Sequence, residues 1–313
     1  MKLAFVFPGQ GSQSVGMLRD YADMPEIRAT IDEASNALGT DMWTLIDAGP
    51  ESALGLTVNT QPVMLAADIA VYRAWRAAGG DAPAIAAGHS LGEYAALVAS
   101  GVLPFADALR TVRVRAEAMQ AAVPEGQGGI AAILGLDTAQ VESACREAAN
   151  GDVVSPANLN APGQIVISGH RAAVERAIEG CKALGAKRAI LLPMSVPAHC
   201  ALMAPAGGPL TVALGNVTMG LAAFPVLHNV TVAPAQGAEA IRDVLVQQLT
   251  HAVRWIETIE ALERDHGVTH VVECGPGKVL HGLVRRIVKT AASHTLSGAQ
   301  AIADTITATR QGA

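Results

Sequence analysis

Residues 84–99 read AIAAGHSLGEYAALVA. The apolar run over residues 84–87 predicts a short buried strand, and residues 93–99 favour a helix. Between them, residues 88–92 form a Gly-x-Ser-x-Gly turn, whose small flanking residues permit the strained backbone that lifts the hydroxyl of Ser90 clear of a sheet. The helix that follows would direct its backbone N–H groups and its positive end at that hydroxyl. Ser90 is therefore a candidate nucleophile, although an ordinary glycine-flanked turn is the alternative for so short a pattern.

The segments around this turn predict an α/β protein. Residues 3–7 are a compact apolar run closed by Pro-Gly, which is typical of a buried strand, and residues 63–75 continue at helical spacing behind the cap-type residues 59–62. Half of the 313 residues are apolar but only 3% are aromatic, so alanine and leucine supply much of the core volume, which favours helices packed closely on a sheet. Further along, the pattern predicts strands over residues 225–228 and 269–273, and helices over residues 105–120, 202–214, 239–266 (broken near 250) and 278–289.

The order of elements changes from about residue 126. Two helices, over residues 138–149 and 172–184, alternate with predicted strands in the order βαββαβ, and residues 160–163 form the turn of the central hairpin. This order is that of a ferredoxin-like domain. Its four strands are predicted over residues 129–136, 153–158, 164–168 and 189–194. We therefore expect a small ferredoxin-like domain, residues 126–197, inserted into a larger discontinuous domain formed by residues 1–125 and 198–313.

Charge and cysteine content exclude several classes of protein. The net charge of −6 gives no basic surface for nucleic acid, and the four cysteines lack the CxxC spacing of a zinc site or the pattern of a disulfide framework. The apolar stretch at residues 3–7 is too short for a secretory signal, and no window approaches the length of about 18 apolar residues that a membrane span needs. We expect a soluble cytoplasmic protein without a metal ion.

A serine nucleophile requires a base within hydrogen-bond distance, and nine histidines are available. His89 adjoins Ser90, but adjacent side chains on a turn diverge, so His89 is interpreted as a structural neighbour. His199 follows the last strand of the insertion, where the chain re-enters the large domain at a cleft position, although a lone loop histidine is more often solvated. The acidic residues between Ser90 and His199 do not suggest a triad, because Asp137 caps a helix and Asp152 starts a strand. A Ser-His dyad, with a backbone carbonyl holding the imidazole, is the better hypothesis.

The predicted helix over residues 105–120 carries three arginines, which a simple interpretation assigns to a solvated face. At about 100° per residue, its apolar residues form one stripe: Phe105, Ala108, Leu109, Val112, Ala116 and Met119. Arg110 falls opposite the stripe and Arg113 lies well off it, whereas Arg115 lies on its border and would be half buried. A half-buried guanidinium needs a carboxylate partner from the protein or from a ligand, and arginine is suited to bidentate binding of such a group.

Taken together, six motifs resemble those of the malonyl-CoA:acyl-carrier-protein transacylases of type II fatty-acid synthesis. They occur in order along nearly the whole chain: residues 7–13 (FPGQGSQ), 60–62 (TQP), 88–94 (GHSLGEY), 158–164 (NLNAPGQ), 196–200 (VPAHC) and 273–277 (ECGPG). The resemblance implies an α/β-hydrolase-like large domain with a ferredoxin-like insertion. It also implies a ping-pong reaction, in which Ser90 takes malonyl from malonyl-CoA and passes it to the phosphopantetheine thiol of acyl carrier protein, with His199 as base and then acid.

The same resemblance assigns roles to further residues. The backbone N–H groups of Gln10 and Leu91 would form the oxyanion hole, and the carbonyl of Gln248 would orient His199. Arg115 would hold the malonyl carboxylate. Three neighbours complete the expected substrate-binding set: Gln61, Asn160 and Asn229. A simple turn position in the hairpin is an equally good interpretation of Asn160. No permanently bound cofactor is implied, since CoA and phosphopantetheine thioesters are substrates.

Several points stay open at this level. Ala198 stands where many stand-alone relatives are expected to have serine. Acidic carrier proteins require a local basic patch, for which the candidates are Lys187, Arg188, Arg285 and Arg286, with Lys278 and Lys289 nearby; scattered solvated charges are the alternative.

A serine esterase and a non-catalytic interaction subunit are the rival interpretations. The carrier served (fatty-acid, polyketide or malonate-decarboxylase) is undecided; a free chain of this length favours the fatty-acid role, and a monomer is expected.

Overall fold

The computed structural model describes residues 1–193 and 196–311, the side chain of residue 311 excepted. The strands are β1 (Leu3–Phe7), β2 (Ile85–Gly88), β3 (Gly128–Leu134), β4 (Val154–Ala161), β5 (Gln164–His170), β6 (Arg188–Leu191), β7 (Val226–Leu227), β8 (His270–Glu273) and β9 (Ala292–Thr295). The α-helices are α1 (Pro25–Leu38), α2 (Met42–Ala48), α3 (Glu51–Leu54), α4 (Thr57–Ala77), α5 (Gly92–Ala99), α6 (Phe105–Ala122), α7 (Thr138–Ala149), α8 (Arg171–Ala183), α9 (Gly207–Gly215), α10 (Gly237–Gln247), α11 (Trp255–Arg264), α12 (Val279–Ile287) and α13 (Ala299–Gln311).

The larger of two sheets is parallel and has the strand order β7-β2-β1-β8-β9. All five residues of β1 are buried, because helices cover the sheet on both faces. Phe5 and Phe7 pack into the core that contains α1, α4 and α6, whereas Ala4 and Val6 pack on the opposite face against α11 and α12. The predicted α/β architecture with a parallel sheet is confirmed.

The second sheet is antiparallel and has the order β4-β5-β3-β6. Its elements follow one another as β3-α7-β4-β5-α8-β6, and the two helices pack with the strands around a separate apolar core. Asp137 caps α7 through a reciprocal capping box with Gln140, as the helix start at residue 138 requires. The last predicted strand ends at Leu191 rather than Met194, and Met194 lies outside the described residues.

Two predicted helix starts were wrong. The helix expected from residue 202 is a 3₁₀ helix over Ala201–Ala206, and α9 begins only at Gly207. The polar residues at 59–62 were expected to cap a helix beginning near Pro62, but α4 starts at Thr57 and Pro62 lies in its second turn. The side chains of Asn59 and Thr60 donate instead to the carbonyls of Ala53 and Leu54 in the preceding turn, which ties α4 to α3. These side chains thus satisfy the end of one helix rather than the start of the next.

Two further properties can be stated of the described residues. None of the helices that they form combines the length and the apolar content needed to cross a bilayer. The four cysteines are all buried free thiols.

Candidate active site

The candidate site lies at the carboxyl ends of β1 and β2, the edge at which open α/β sheets bind ligands. A cavity of 240 Å³ opens there between the two sheets. Among its lining residues are Gln10, Gln61, Ser90, Leu91, Arg115, Asn160 and His199. A larger cavity of 680 Å³ lies beyond Gln10 and is lined by neither Ser90 nor His199.

The turn that carries Ser90 has the strained geometry expected from its glycines. Ser90 has a φ of +52°, in the left-handed region that a side chain rarely adopts. A Cβ on Gly88 would lie 1.9 Å from the backbone of Gly92, and a Cβ on Gly92 would lie 2.0 Å from the carbonyl oxygen of Phe7. Only glycine fits at either position, so the chain can pass from β2 into α5 with the Ser90 side chain facing the cavity.

His199 makes the hydrogen bond that a base for Ser90 requires. Its Nε2 lies 2.7 Å from Ser90 Oγ, and its Nδ1 lies 2.8 Å from the backbone carbonyl oxygen of Gln248. A carbonyl only accepts, so Nδ1 carries the hydrogen and Nε2 presents a lone pair to the hydroxyl. His199 also has a positive φ of +62°, the second strained position in the site.

Burial and the nearby positive charge of Arg115 lower the pKa of His199 to about 3, against the smaller opposing effect of its hydrogen bond to Gln248. The imidazole is therefore neutral at physiological pH, and its Nε2 lone pair is free to accept the hydrogen bond of the Ser90 hydroxyl.

This pKa can be tested by NMR titration of the histidine ring nitrogens, with His199→Gln used to assign the resonance. We expect His199 to stay neutral as the pH falls through 6.5 and to titrate near pH 3. In Arg115→Gln its pKa should rise, because removing a positive neighbour favours the imidazolium. A His199 that titrates near pH 6.5 in the unaltered protein would contradict this description.

Arg115 is more deeply buried than its helical position predicts, with only 1% of its surface exposed. Its Nη1 donates to Gln61 Oε1 at 2.5 Å and its Nη2 to Gln248 Oε1 at 2.8 Å, while the guanidinium lies over the ring of Tyr94 at 5.6 Å. Within residues 1–193 and 196–311, no carboxylate comes within ion-pair distance of this guanidinium. Neutral amides and a ring thus hold a buried cation 3.4 Å from Ser90 Oγ, which favours binding of an anion.

Two residues that line the same cavity have backbone N–H groups without an acceptor among the described residues: Gln10 and Leu91. The N–H of Ser90 itself donates to Asn229 Oδ1 at 2.7 Å, and Asn229 Nδ2 donates to the carbonyl of Gly88 at 2.6 Å. Asn229 therefore braces the turn, leaving the amides of Gln10 and Leu91 for a developing negative charge.

Asn160 is not a hairpin-turn residue, so that alternative is wrong. It belongs to β4, and its Oδ1 lies 2.8 Å from Nε2 of His89. The hairpin turn is tighter than predicted and consists of residues 162 and 163, because β4 extends through Ala161. His89 also packs edge-on against the ring of Trp255, which agrees with its interpretation as a structural neighbour.

Two of the expected basic residues, Lys187 and Arg286, lie near this hairpin turn. The Gly135 N–H donates to the carbonyl of Gly163, and Lys187 lies beside Gly135. Arg286 Nη2 donates to the carbonyl of Pro162 in the same turn at 3.1 Å. Arg188 and Arg285 are exposed. The same helix α12 that carries Arg285 and Arg286 supplies Val279, Leu280 and Leu283 to the cavity lining.

The positions of Asp137, Asp152 and Ala198 are also resolved by the structure. Asp137 caps α7 and Asp152 pairs with Arg176, so neither approaches His199. The carbonyl of Ala198 accepts a hydrogen bond from Ser168 Oγ at 2.7 Å, which fixes the chain just before His199.

Glu93 was not predicted as a site residue, yet it is completely buried directly behind the site. Its carboxylate accepts hydrogen bonds from His228 Nδ1 (2.6 Å), the Asn229 N–H (3.0 Å) and Gln248 Nε2 (2.8 Å). The signal was available, because a single acidic residue in the otherwise apolar helix α5 predicts a buried carboxylate that must find donors.

Comparison with known proteins places this geometry among acyl-transferring enzymes. The family model described as acyl transferase domain matches residues 4–307. The chain is 54% identical to the malonyl CoA-acyl carrier protein transacylase of Escherichia coli K12, over 96% of this chain and 98% of that protein.

Solved structures agree with this comparison. An acyl-carrier-protein S-malonyltransferase from Burkholderia pseudomallei 1710b is 51% identical, with a TM-score of 0.96 over 98% of this chain and 100% of that one. A malonyl-transacylase solved in complex with a type II PKS acyl-carrier protein is 49% identical, also with a TM-score of 0.96, over 98% of this chain and all of that one.

Proposed function

The chain belongs to the malonyl CoA-acyl carrier protein transacylases, and from this premise we propose that Ser90 carries malonyl between malonyl-CoA and the phosphopantetheine thiol of an acyl carrier protein. The observation that supports this assignment most strongly is the buried guanidinium of Arg115, 3.4 Å from Ser90 Oγ and held only by neutral groups. A nucleophile for a thioester and a binding group for a carboxylate thus occupy the same small cavity.

In the first half-reaction, Ser90 Oγ attacks the thioester carbonyl and its proton passes to Nε2 of His199. The tetrahedral oxyanion accepts hydrogen bonds from the N–H groups of Gln10 and Leu91. When this intermediate collapses, the carbon–sulfur bond breaks, malonyl remains esterified to Ser90, and CoA leaves as a thiol with the proton that His199 returns.

The second half-reaction reverses these steps with another thiol. The pantetheine thiol of the carrier protein gives its proton to His199 and attacks the malonyl ester, and Ser90 leaves with the proton restored to its oxygen. The carbonyl of Gln248 keeps His199 in the tautomer that both halves require. Each half conserves charge and needs no resident cofactor.

Specificity for malonyl follows from the electrostatics of Arg115. A neutral acyl group such as acetyl would displace water from the cavity while leaving the guanidinium without an anion, at a cost of about 1–3 kcal/mol. The short distance between Arg115 and Ser90 suits an acyl group whose carboxylate lies few bonds from its thioester carbonyl. Gln61 would orient the guanidinium, while Asn160 and Asn229 support the walls of the site.

We also propose the finer architecture that the resemblance implies. The parallel sheet and its helices correspond to an α/β-hydrolase-like domain of residues 1–125 and 198–313, and residues 126–197 to a ferredoxin-like insertion. The strand order β4-β5-β3-β6 with α7 and α8 supports the second assignment. The cavity between the two sheets agrees with a site at a domain boundary. We further propose that the protein is a cytoplasmic monomer that serves fatty-acid elongation.

The basic residues near residues 162–163 provide a test of carrier docking. Reversing Arg188 and Arg285 to glutamate should raise the KM for holo acyl carrier protein about tenfold and leave the KM for malonyl-CoA unchanged, because acidic carriers are attracted by this patch. Arg286 is left intact, since its side chain holds the hairpin through Gln164 and Pro162.

Each reversal is also made singly, and Arg146→Glu is the matched control for the single variants, because it makes the same change of charge on the exposed face of α7. The rise in the KM for the carrier that the double reversal causes should also become smaller as salt is added. An unchanged KM for the carrier in the double reversal would remove this surface from the docking proposal.

The proposed reaction is tested by the fate of the malonyl group after the protein is mixed with malonyl-CoA alone and then with holo carrier. Transfer to the carrier faster than release of free malonate supports the transferase. Rapid release of malonate without transfer would identify an esterase, and the absence of any reaction would identify a non-catalytic subunit. Offering fatty-acid, polyketide and malonate-decarboxylase carriers in parallel identifies the one that is served.

A further inference from the structure

Glu93 is the only carboxylate among the described residues that touches both residues bracing the Ser90 turn. Its Oε2 accepts from the Asn229 N–H and from Gln248 Nε2, and its Oε1 accepts from Nδ1 of His228. The side chains of Glu93 and His228 are 0% and 2% exposed. Glu93 lies one turn of backbone beyond the nucleophile but does not face the cavity.

The side-chain amide of Gln248 has one orientation that satisfies all its neighbours. Its Nε2 faces two acceptors, Glu93 Oε2 at 2.8 Å and the carbonyl of Ser90 at 3.0 Å. Its Oε1 faces a donor, Nη2 of Arg115, at 2.8 Å. If the amide were flipped, its oxygen would oppose the carboxylate and its NH₂ group would oppose the guanidinium. The carboxylate of Glu93, the closer and charged of the two acceptors, therefore acts with the carbonyl of Ser90 to determine which end of the amide Arg115 meets.

We infer that Glu93 is a positioning residue for malonyl selectivity, which acts on Arg115 through the side-chain amide of Gln248. The inference rests on the proposed function, in which Arg115 binds the malonyl carboxylate. Without Glu93, Nε2 of the amide keeps only the Ser90 carbonyl as an acceptor, so the amide is held less firmly in the orientation that presents its oxygen to the guanidinium. The other contact of Glu93, with the Asn229 N–H, supports the Ser90 turn instead, and its loss would affect every acyl group equally.

The effects of these two contacts can be measured separately, because only the contact with Gln248 should distinguish one acyl group from another. The measured quantity is the ratio of kcat/KM for Ser90 loading by malonyl-CoA to that by acetyl-CoA. Damage to the turn lowers both rates and cancels in the ratio, whereas loss of Arg115 positioning lowers the ratio itself.

We expect Glu93→Ala to lower this ratio about tenfold or more, and Gln248→Ala to lower it by a similar factor. The backbone carbonyl that orients His199 is kept in Gln248→Ala. The double variant should be no less selective than Gln248→Ala alone, since Glu93 acts through that side chain. If Glu93→Ala does not fold, Glu93→Met takes its place, because it keeps the length of the side chain but accepts no strong hydrogen bond.

Two further variants serve as controls. Glu93→Gln retains an oxygen acceptor for Gln248 Nε2, so its ratio should stay within about threefold of the unaltered protein. His228→Gln keeps a donor to Glu93 Oε1 in the same buried cluster and does not contact Gln248, so it should leave the ratio unchanged.

A ratio that is unchanged in the Glu93 variants while both rates fall would overturn the inference and leave a structural role only. Multiplicative losses in the double variant would also overturn it. Both outcomes differ from failure of the proposed function, which would appear as absence of malonyl loading in the unaltered protein.

Discussion

Replacing Ser90 with alanine should lower the rate of malonyl transfer to holo acyl carrier protein by about 10⁴- to 10⁶-fold. The loss is this large because both half-reactions pass through an ester on Ser90 Oγ. Without this hydroxyl, no other nucleophile is available to the rest of the site, which consists of His199, Arg115 and the free amides of Gln10 and Leu91. The measurement is the initial rate of malonyl-carrier formation at saturating concentrations of both substrates.

Ser100→Ala is the matched control for this variant. It removes a hydroxyl that donates to the carbonyl of Leu97 at the far end of the same helix, without contact with the site. Its rate should equal that of the unaltered protein. A Ser90→Ala protein that is folded by circular dichroism and keeps more than about 1% of the rate would show that another group carries the malonyl.

Replacing Arg115 with alanine should produce the second largest effect and should be selective for the acyl group. Removing one partner of a buried charge interaction costs about 2–5 kcal/mol, which corresponds to a fall of about 30- to 4,000-fold in kcat/KM for malonyl-CoA. Loading by acetyl-CoA should fall far less, since acetyl has no carboxylate for the guanidinium to bind. The two rates are measured as acylation of Ser90 in single-turnover experiments.

Arg110→Ala on the opposite side of α6 serves as the control, since Arg110 is exposed and pairs only with Asp107. Arg115→Lys should give an intermediate rate, because an ammonium cannot reproduce the fork that reaches Gln61 and Gln248 together. Malonyl loading that persisted unchanged in Arg115→Ala would refute the assignment of the substrate.

The parts of the site that local chemistry determines were predictable from the sequence. The turn around Ser90 needs glycine on both sides for steric reasons that act within five residues, so its pattern is visible in residues 88–92. Arg115 was visible as a cation beside an apolar stripe, although its complete burial depends on Gln61, Tyr94 and Gln248, which come from three other segments.

The parts that depend on distant segments were not predictable from residue patterns. The carbonyl that holds His199 lies 49 residues further along the chain, and Gln248 was assigned only through the family resemblance. Asn160 illustrates the same limit, since its neighbours 162 and 163 favour a turn while its pairing with β5 extends the strand. Helices α1, α2 and α3 were not predicted, nor were strand β9 and helix α13. Strand β9 is a short edge strand, and α13 has only a modest apolar face.

The central claim, that malonyl is carried on Ser90, is tested most directly by mass spectrometry of the protein mixed with malonyl-CoA and then with holo acyl carrier protein. We expect one malonyl group per chain, located by peptide mapping on Ser90, which disappears as malonyl appears on the carrier thiol. Transfer to the carrier with no malonyl on the protein, or with malonyl on any residue other than Ser90, would contradict it.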